Sequence, residues 1–219
     1  MSTKPMLQLA LDYIALPPAM AMAHIIKNEV DIIEIGTPLC KAEGMRAVAA
    51  IRALCPDNLI LADVKTPDVG ALEAKIAFDA GANWMTLIGC APLITVKEAV
   101  GEAASRENCA ALVELTGIRD IMERVAEWRG VGVQRVVYHR GWDEGNVGGR
   151  LWGDADLQLI RDLSEAGMKV SVAGGLNLEV LERFNGVPVS VFVIGRAIRE
   201  TPDPAATARL YREAIAKLS

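Results

Sequence analysis

The stretch DIIEIG (31–36), AEGMRAVAAIRAL (42–54) and LILADVK (59–65) decides the fold. Its ends are short apolar runs rich in β-branched residues, while its middle repeats apolar residues with a helical period. Strand, helix, strand in this order is a βαβ unit, which joins parallel strands. The same alternation continues in both directions. Further strands are expected at LQLALD (7–12), WMTLIG (84–89), ALVEL (111–115), RVVYH (135–139), KVSVAGG (169–175) and VSVFVIG (189–195). The spacing predicts further helices over 17–28, 68–81, 93–105, 118–130, 154–167, 178–184 and 204–218, several opening beside Pro or Asp and closing at Gly or Asn. Eight β and eight α units fit a (β/α)8 TIM barrel, whose strands are covered on both faces and read as nearly continuous apolar runs. An open doubly wound sheet is the alternative, but it would carry a Gly-rich turn after the first strand, and LALDYIALPPA has none. With no linker and no change in composition, residues 1–219 are expected to form a single barrel domain, its longest loop being RGWDEGNVGGRLWG (140–153).

Composition narrows the function. The chain has 219 residues, 52% apolar and 23% charged, with a formal net charge of −5. That balance offers no broad basic surface to nucleic acid or to an anionic membrane, so a phosphate-bearing ligand needs a local site. No apolar run approaches the length of a membrane span, and MSTKPMLQLALD is too short and acidic-ended for a signal peptide, so a cytoplasmic location is expected. Cys40, Cys55, Cys90 and Cys109 lack metal or redox spacing and are expected to be reduced. Histidine chemistry rests on His24 and His139 alone.

In such a barrel the active site lies at the carboxyl ends of the strands, so polar residues that close apolar strands are the informative ones. They are Asp12, Glu34, Asp63 with Lys65, Glu114, His139, the pair Gly174-Gly175, and Gly195-Arg196, from seven of the eight strands. Any one of them alone would pass as a helix cap or a surface charge. Their convergence on one mouth predicts a pocket.

Asp63, Lys65 and Asp68 make the densest group, D-x-K-x-x-D. Residues two apart share a strand face, which places Asp63 and Lys65 on the barrel interior. A buried Lys needs carboxylates around it, here Asp12, Asp63 and Asp68, and its ammonium can then stabilise an oxyanion or protonate a carbanion. The plainer reading is an ion pair at the barrel rim. Glu34 and Asp63 close neighbouring strands and repel unless a cation intervenes; an all-oxygen set suits magnesium (Mg2+), unless Glu34 simply pairs with Lys65. The glycines of AGGL (173–176) and IGRAI (194–198), with Arg196, occupy the usual phosphate position of this fold. His139 is placed to exchange a proton with a bound intermediate. His24 is expected against the barrel exterior, Cys90 as a small apolar filler, and Trp142 in the loop over the mouth.

LALD (9–12), DIIEIGTPLC (31–40), LADVKTPDVG (61–70), VELTG (113–117), VVYHR (136–140), GGL (174–176) and FVIGRAIR (192–199) resemble 3-keto-L-gulonate 6-phosphate decarboxylases of the orotidine 5′-monophosphate decarboxylase suprafamily. The similarity runs from the first strand to the last helix. It implies a homodimer with shared active sites and a magnesium held by Glu34 and Asp63. It also implies decarboxylation of a small-molecule sugar phosphate to an enediolate stabilised by the metal and Lys65, with L-xylulose 5-phosphate as product. By the same resemblance Asp68 reaches the neighbouring subunit's site, Glu114 binds substrate, His139 donates a proton, and Gly175, Gly195 and Arg196 hold phosphate; from their places at the strand ends, Asp12 is expected to bind substrate and Gly174 to join the phosphate site. Two positions depart from the pattern: Trp142 stands where those enzymes have Arg, and Ala173 where they have Thr. Both are expected to touch substrate, with Trp142 tuning which sugar acid fits. Ala173 is shared with the hexulose 6-phosphate synthases of the suprafamily, which add formaldehyde to ribulose 5-phosphate and form the alternative reading. A ribulose-phosphate 3-epimerase would need two metal-binding histidines, and an inactive phosphate-binding barrel would not keep Asp63, Lys65 and Asp68 together.

Overall fold

The computed structural model describes residues 4–141, 143 and 152–218. Eight parallel strands close on themselves in chain order: β1 (Met6–Leu11), β2 (Ile32–Ile35), β3 (Leu59–Thr66), β4 (Trp84–Ile88), β5 (Ala110–Glu114), β6 (Arg135–His139), β7 (Lys169–Ala173) and β8 (Val189–Ile194). The closing pair sets Met6 of β1 opposite Val191 of β8. Outside them run α1 (Leu16–Ile26), α2 (Thr37–Glu43), α3 (Met45–Leu54), α4 (Gly70–Asp79), α5 (Leu93–Ala104), α6 (Ile121–Gly130), α7 (Asp154–Glu165), α8 (Leu178–Leu181), α9 (Arg196–Arg199) and α10 (Pro204–Ile215). This is a (β/α)8 TIM barrel. Among the described residues no helix is long and apolar enough to cross a membrane.

Strand alternation divides the apolar side chains into two cores. One direction points inward, where Ala10, Ile32, Leu61, Trp84, Leu112, Val137, Ala173, Val191 and Val193 fill the barrel. The other meets the helices in a larger outer core. On the inward side the Arg135 guanidinium lies 4.3 Å from the Trp84 ring centroid. Filled in this way, the interior is a packed plug on which the polar ends of the strands stand.

Several local features differ from expectation. The helix after β2 is two helices, because Gly44 at φ +62° takes a left-handed conformation that ends α2 before α3 begins. α4 starts at Gly70 rather than residue 68, since Val69 is left-handed at φ +49°. The segment 178–184 is one α turn followed by a 3-10 turn, and α9, a short helix directly after β8, was not anticipated. His24 is exposed rather than packed, because the buried stripe of α1 is Ala19, Met22, Ala23 and Ile26 and residue 24 falls outside it. Cys90 is exposed too: β4 ends at Ile88, so Cys90 belongs to a solvent-facing turn and fills nothing.

An edge-to-face chain of rings, Tyr138 to Trp152 to Phe184 to Phe192, stacks at centroid separations of 5.2–5.4 Å and ties the segments around β6 and β8 together. Phe184 stands within it, fully buried. Phe184→Ala is expected to cost about 3–5 kcal/mol in urea-unfolding free energy, and Phe184→Leu less than about half of that.

Candidate active site

The site grows from an irregularity between β3 and β4. Their register runs Leu61 to Trp84 and Ala62 to Met85, then resumes at Thr66 to Leu87, so three residues of β3, Asp63 to Lys65, stand opposite Thr86 alone. Within this bulge Lys65 takes φ +51°, a left-handed conformation unusual for a side chain other than Gly, Asn or Asp. Simple alternation therefore does not describe this stretch. Asp63 and Lys65 nevertheless meet, because the bulge turns the Lys65 chain back over the carboxylate.

Lys65 Nζ donates to both Asp63 oxygens, at 2.9 and 2.8 Å, and to Glu114 Oε2 at the end of β5. The Asp63 carboxylate also accepts from Thr37 Oγ1 at 2.5 Å and from Thr86 Oγ1 at 2.7 Å. Glu114 Oε1 accepts from Thr116 Oγ1 at 2.6 Å and lies 3.2 Å from His139 Nδ1 at the end of β6. Four of the expected residues, Asp63, Lys65, Glu114 and His139, thus form one continuous chain across the mouth. Burial works to lower the Lys65 ammonium, but the two carboxylates outweigh it and hold its pKa well above the ordinary value. Burial works to raise Glu114, and the His139 hydrogen bond with the Lys65 charge overcomes it, pulling the carboxyl down to about 2.

Glu34, buried at the end of β2, does not pair with Lys65. It accepts from Gln8 Nε2 at 2.6 Å, while Gln8 Oε1 is buried with no hydrogen-bond partner among the described residues. Burial, then the charges of Asp63 and Asp12, push the Glu34 carboxyl well above its usual range, as expected where negative charge gathers without enough cations. Asp12 follows β1 and is also raised, first by burial. It does not contact Lys65 as expected; its Oδ2 lies 3.5 Å from Arg199 Nη2 on α9, and that guanidinium covers the Tyr13 ring at 4.9 Å. Asp68 likewise stands away from Lys65: it is exposed, beyond the bulge and before Val69. The two carboxylates compensating Lys65 are Asp63 and Glu114.

At the ends of β7 and β8 the backbone is open. Gly174 and Gly175 have φ of +97° and +65°, and a Cβ on Gly174 would stand 2.2 Å from the Arg140 carbonyl oxygen. The Trp152 indole donates to the Gly174 carbonyl at 2.8 Å. Gly195 lies beside Asp12, and Arg196 opens α9 from an exposed position. Ala173 is buried directly opposite His139 in the β6 and β7 register. Trp142 lies outside the described residues. Among those described, no three His, Cys, Asp or Glu side chains gather as metal ligands. Glu34 and Asp63 are a pair, a count that suits magnesium, which takes one or two carboxylates and keeps water or substrate oxygens elsewhere.

Six contributors were missed from the sequence: Gln8, Thr37, Thr86, Thr116, Trp152 and Arg199. Gln8 and Thr86 carried a signal, as polar residues in the apolar runs LQLAL and WMTLI. Trp152 and Arg199 carried none, since one follows a long loop and the other lies one turn past a strand end.

A carboxyl held below its ordinary value of 4.5 stabilises the fold above that pH, and the stabilisation is lost as pH falls toward about 2. Glu114→Gln is therefore expected to cost on the order of 2–3 kcal/mol near pH 7 and little near pH 2, flattening the acid limb of a plot of urea stability against pH.

Comparison with known proteins agrees with this geometry. The family model described as Orotidine 5′-phosphate decarboxylase / HUMPS family matches residues 5–211. The 3-keto-L-gulonate-6-phosphate decarboxylase UlaD of Salmonella typhi is 44% identical over 214 residues, covering 98% of both chains. The crystal structure of KGPDC from Streptococcus mutans in complex with D-R5P superposes with a TM-score of 0.94 at 36% identity over 98% of each chain. A 3-hexulose-6-phosphate synthase structure superposes at 0.88 with 38% identity, over 95% of this chain and 99% of that one. With a matching family model along nearly its whole length and strand ends that converge on a Lys between carboxylates, this chain belongs to the orotidine 5′-phosphate decarboxylase / HUMPS family.

Proposed function

We propose that this barrel is a magnesium-dependent decarboxylase of a 3-keto sugar-acid phosphate, converting 3-keto-L-gulonate 6-phosphate to L-xylulose 5-phosphate and CO2. The observation that carries it is the Lys65 ammonium held between Asp63 and Glu114, with His139 next in the chain. The 44% identity to a decarboxylase of this name supports the choice of substrate.

In this reading the phosphate rests on Gly174, Gly175, Gly195 and Arg196, with Asp12, Glu114 and Ala173 around the sugar chain. The bond from the α-carbon to the carboxylate breaks, CO2 leaves, and its electron pair stays on the substrate as an enediolate. The Lys65 ammonium faces that developing charge without having to reorganise, because Asp63 and Glu114 already hold it. His139, steadied by Glu114, supplies the proton that completes the product. Magnesium held by Glu34 and Asp63 would supply Lewis-acid stabilisation of the same charge. It would also relieve the crowding that raises Glu34.

Ala173 and the similarity to a 3-hexulose-6-phosphate synthase favour a second reading, aldol addition of formaldehyde to ribulose 5-phosphate through a related enediolate. Release of CO2 from 3-keto-L-gulonate 6-phosphate, measured against formaldehyde uptake with ribulose 5-phosphate, separates the two. The decarboxylase reading expects the first to exceed the second by orders of magnitude; the reverse order overturns it.

Magnesium is expected to raise the melting temperature of the wild-type chain and to leave that of Glu34→Gln unchanged, with turnover abolished by excess chelator in a protein that stays folded. Full activity in chelator would exclude the metal.

The second copy of the proposed homodimer covers the edge where Val69, Leu72, Ile76 and Ile94 expose apolar side chains beside Asp68. Asp68 then serves the neighbour's Lys65. Mixing inactive Lys65→Ala and Asp68→Ala chains gives heterodimers with one intact site, so up to about a quarter of wild-type activity should return after subunit exchange. No recovery, with exchange confirmed by mass, would count against shared sites.

A further inference from the structure

The structure assigns Thr86 as the positioning residue of this site: its hydroxyl closes the β3 bulge and aims both Asp63 and Lys65. Thr86 is the β4 residue that faces the bulge, and it is almost wholly buried. Its Oγ1 accepts from the Lys65 backbone N–H at 3.0 Å and donates to Asp63 Oδ1 at 2.7 Å. A hydroxyl has one proton and two lone pairs, so it can serve the two groups at once with opposite polarity. No apolar side chain of the same shape can do either.

Lys65 needs that support. A residue of its type in the left-handed region is strained and persists only where its surroundings hold it there. At the bulge the regular ladder has lapsed, and the Thr86 hydroxyl takes the N–H that a neighbouring strand carbonyl would otherwise accept. The same oxygen is tied to the carboxylate that Lys65 Nζ grips, so backbone and side chain of Lys65 are both referred to one fixed point on β4. Thr37 also donates to Asp63, but it has no bond to Lys65 that would couple the two.

The roles of Lys65 and Asp63 invoked here are those proposed above, and the test has one arm that depends on turnover and one that does not. Thr86→Val keeps shape and loses the hydroxyl; Thr86→Ser keeps the hydroxyl and loses a methyl. CO2 release from 3-keto-L-gulonate 6-phosphate should show kcat about 10–100-fold lower in Thr86→Val, with KM within about threefold because the phosphate cradle lies on β7 and β8, and kcat largely restored in Thr86→Ser. In the second arm, NMR hydrogen exchange of the Lys65 amide needs neither substrate nor metal, and it should quicken at least about tenfold in Thr86→Val and return in Thr86→Ser. If Thr86→Val does not accumulate folded, Thr86→Cys, a weak hydrogen-bonding group, replaces it under the same criteria. Loss restored by Ser in both arms supports the assignment. Unchanged Lys65 exchange, unchanged kcat, or equal losses in Val and Ser overturn it. A wild-type chain that releases no CO2 refutes the substrate reading alone, and the exchange arm then decides the role of Thr86.

Discussion

One ammonium group balances the mouth of this barrel. Lys65 lies between Asp63 and Glu114, while Glu34 and Asp12 add negative charge from neighbouring strands. Removing a charge from water is costly unless its partners replace the lost hydration, and here the partners come from different strands. The arrangement thus exists only when β3 and β5 are in register with the strands between and around them. Charge balance and barrel closure are one constraint, met together or not at all.

The apolar plug makes that constraint bearable. Inward side chains from all eight strands fill the interior beneath the polar layer, which fixes how far the carboxylates can sink. Above the plug, three of the carboxylates are given neutral hydrogen-bonding neighbours: Gln8 for Glu34, Thr37 and Thr86 for Asp63, Thr116 for Glu114. The residual excess of negative charge, visible in the raised carboxyl of Glu34, is the feature that a divalent cation would relieve. A site poised in this way trades stability for function, as binding sites commonly do.

At the end of β7 the turn is shaped by backbone rather than by charge. Gly174 turns where a Cβ would strike the Arg140 carbonyl, Gly175 follows it at φ +65°, and Trp152 pins the turn by its indole N–H. That bond also links the segment entering α7 to the end of β7, so the end of β6, where Tyr138 and His139 stand, and the glycine turn share a common support.

The sequence by itself determined the alternating order of strands and helices, the barrel, and the polar strand ends, because local periodicity is written in neighbouring residues and an apolar run closed by Asp, Glu or His is visible without coordinates. Asp63, Lys65, Glu114 and His139 were legible for that reason, and the structure joins them by hydrogen bonds. Which second carboxylate answers Lys65 was not legible: the strand ends and the motif offered Asp12 and Asp68, yet Glu114, 49 residues away in the chain, joins Asp63 as the partner, since adjacency around a closed sheet is set by strand order and shear. The left-handed turn at Lys65, the two-way hydroxyl of Thr86 and the burial of Arg199 beside Asp12 were decided only by tertiary structure. Each depends on a register shift or a helix placement, and such offsets between distant segments leave no trace in the spacing of residues along one of them.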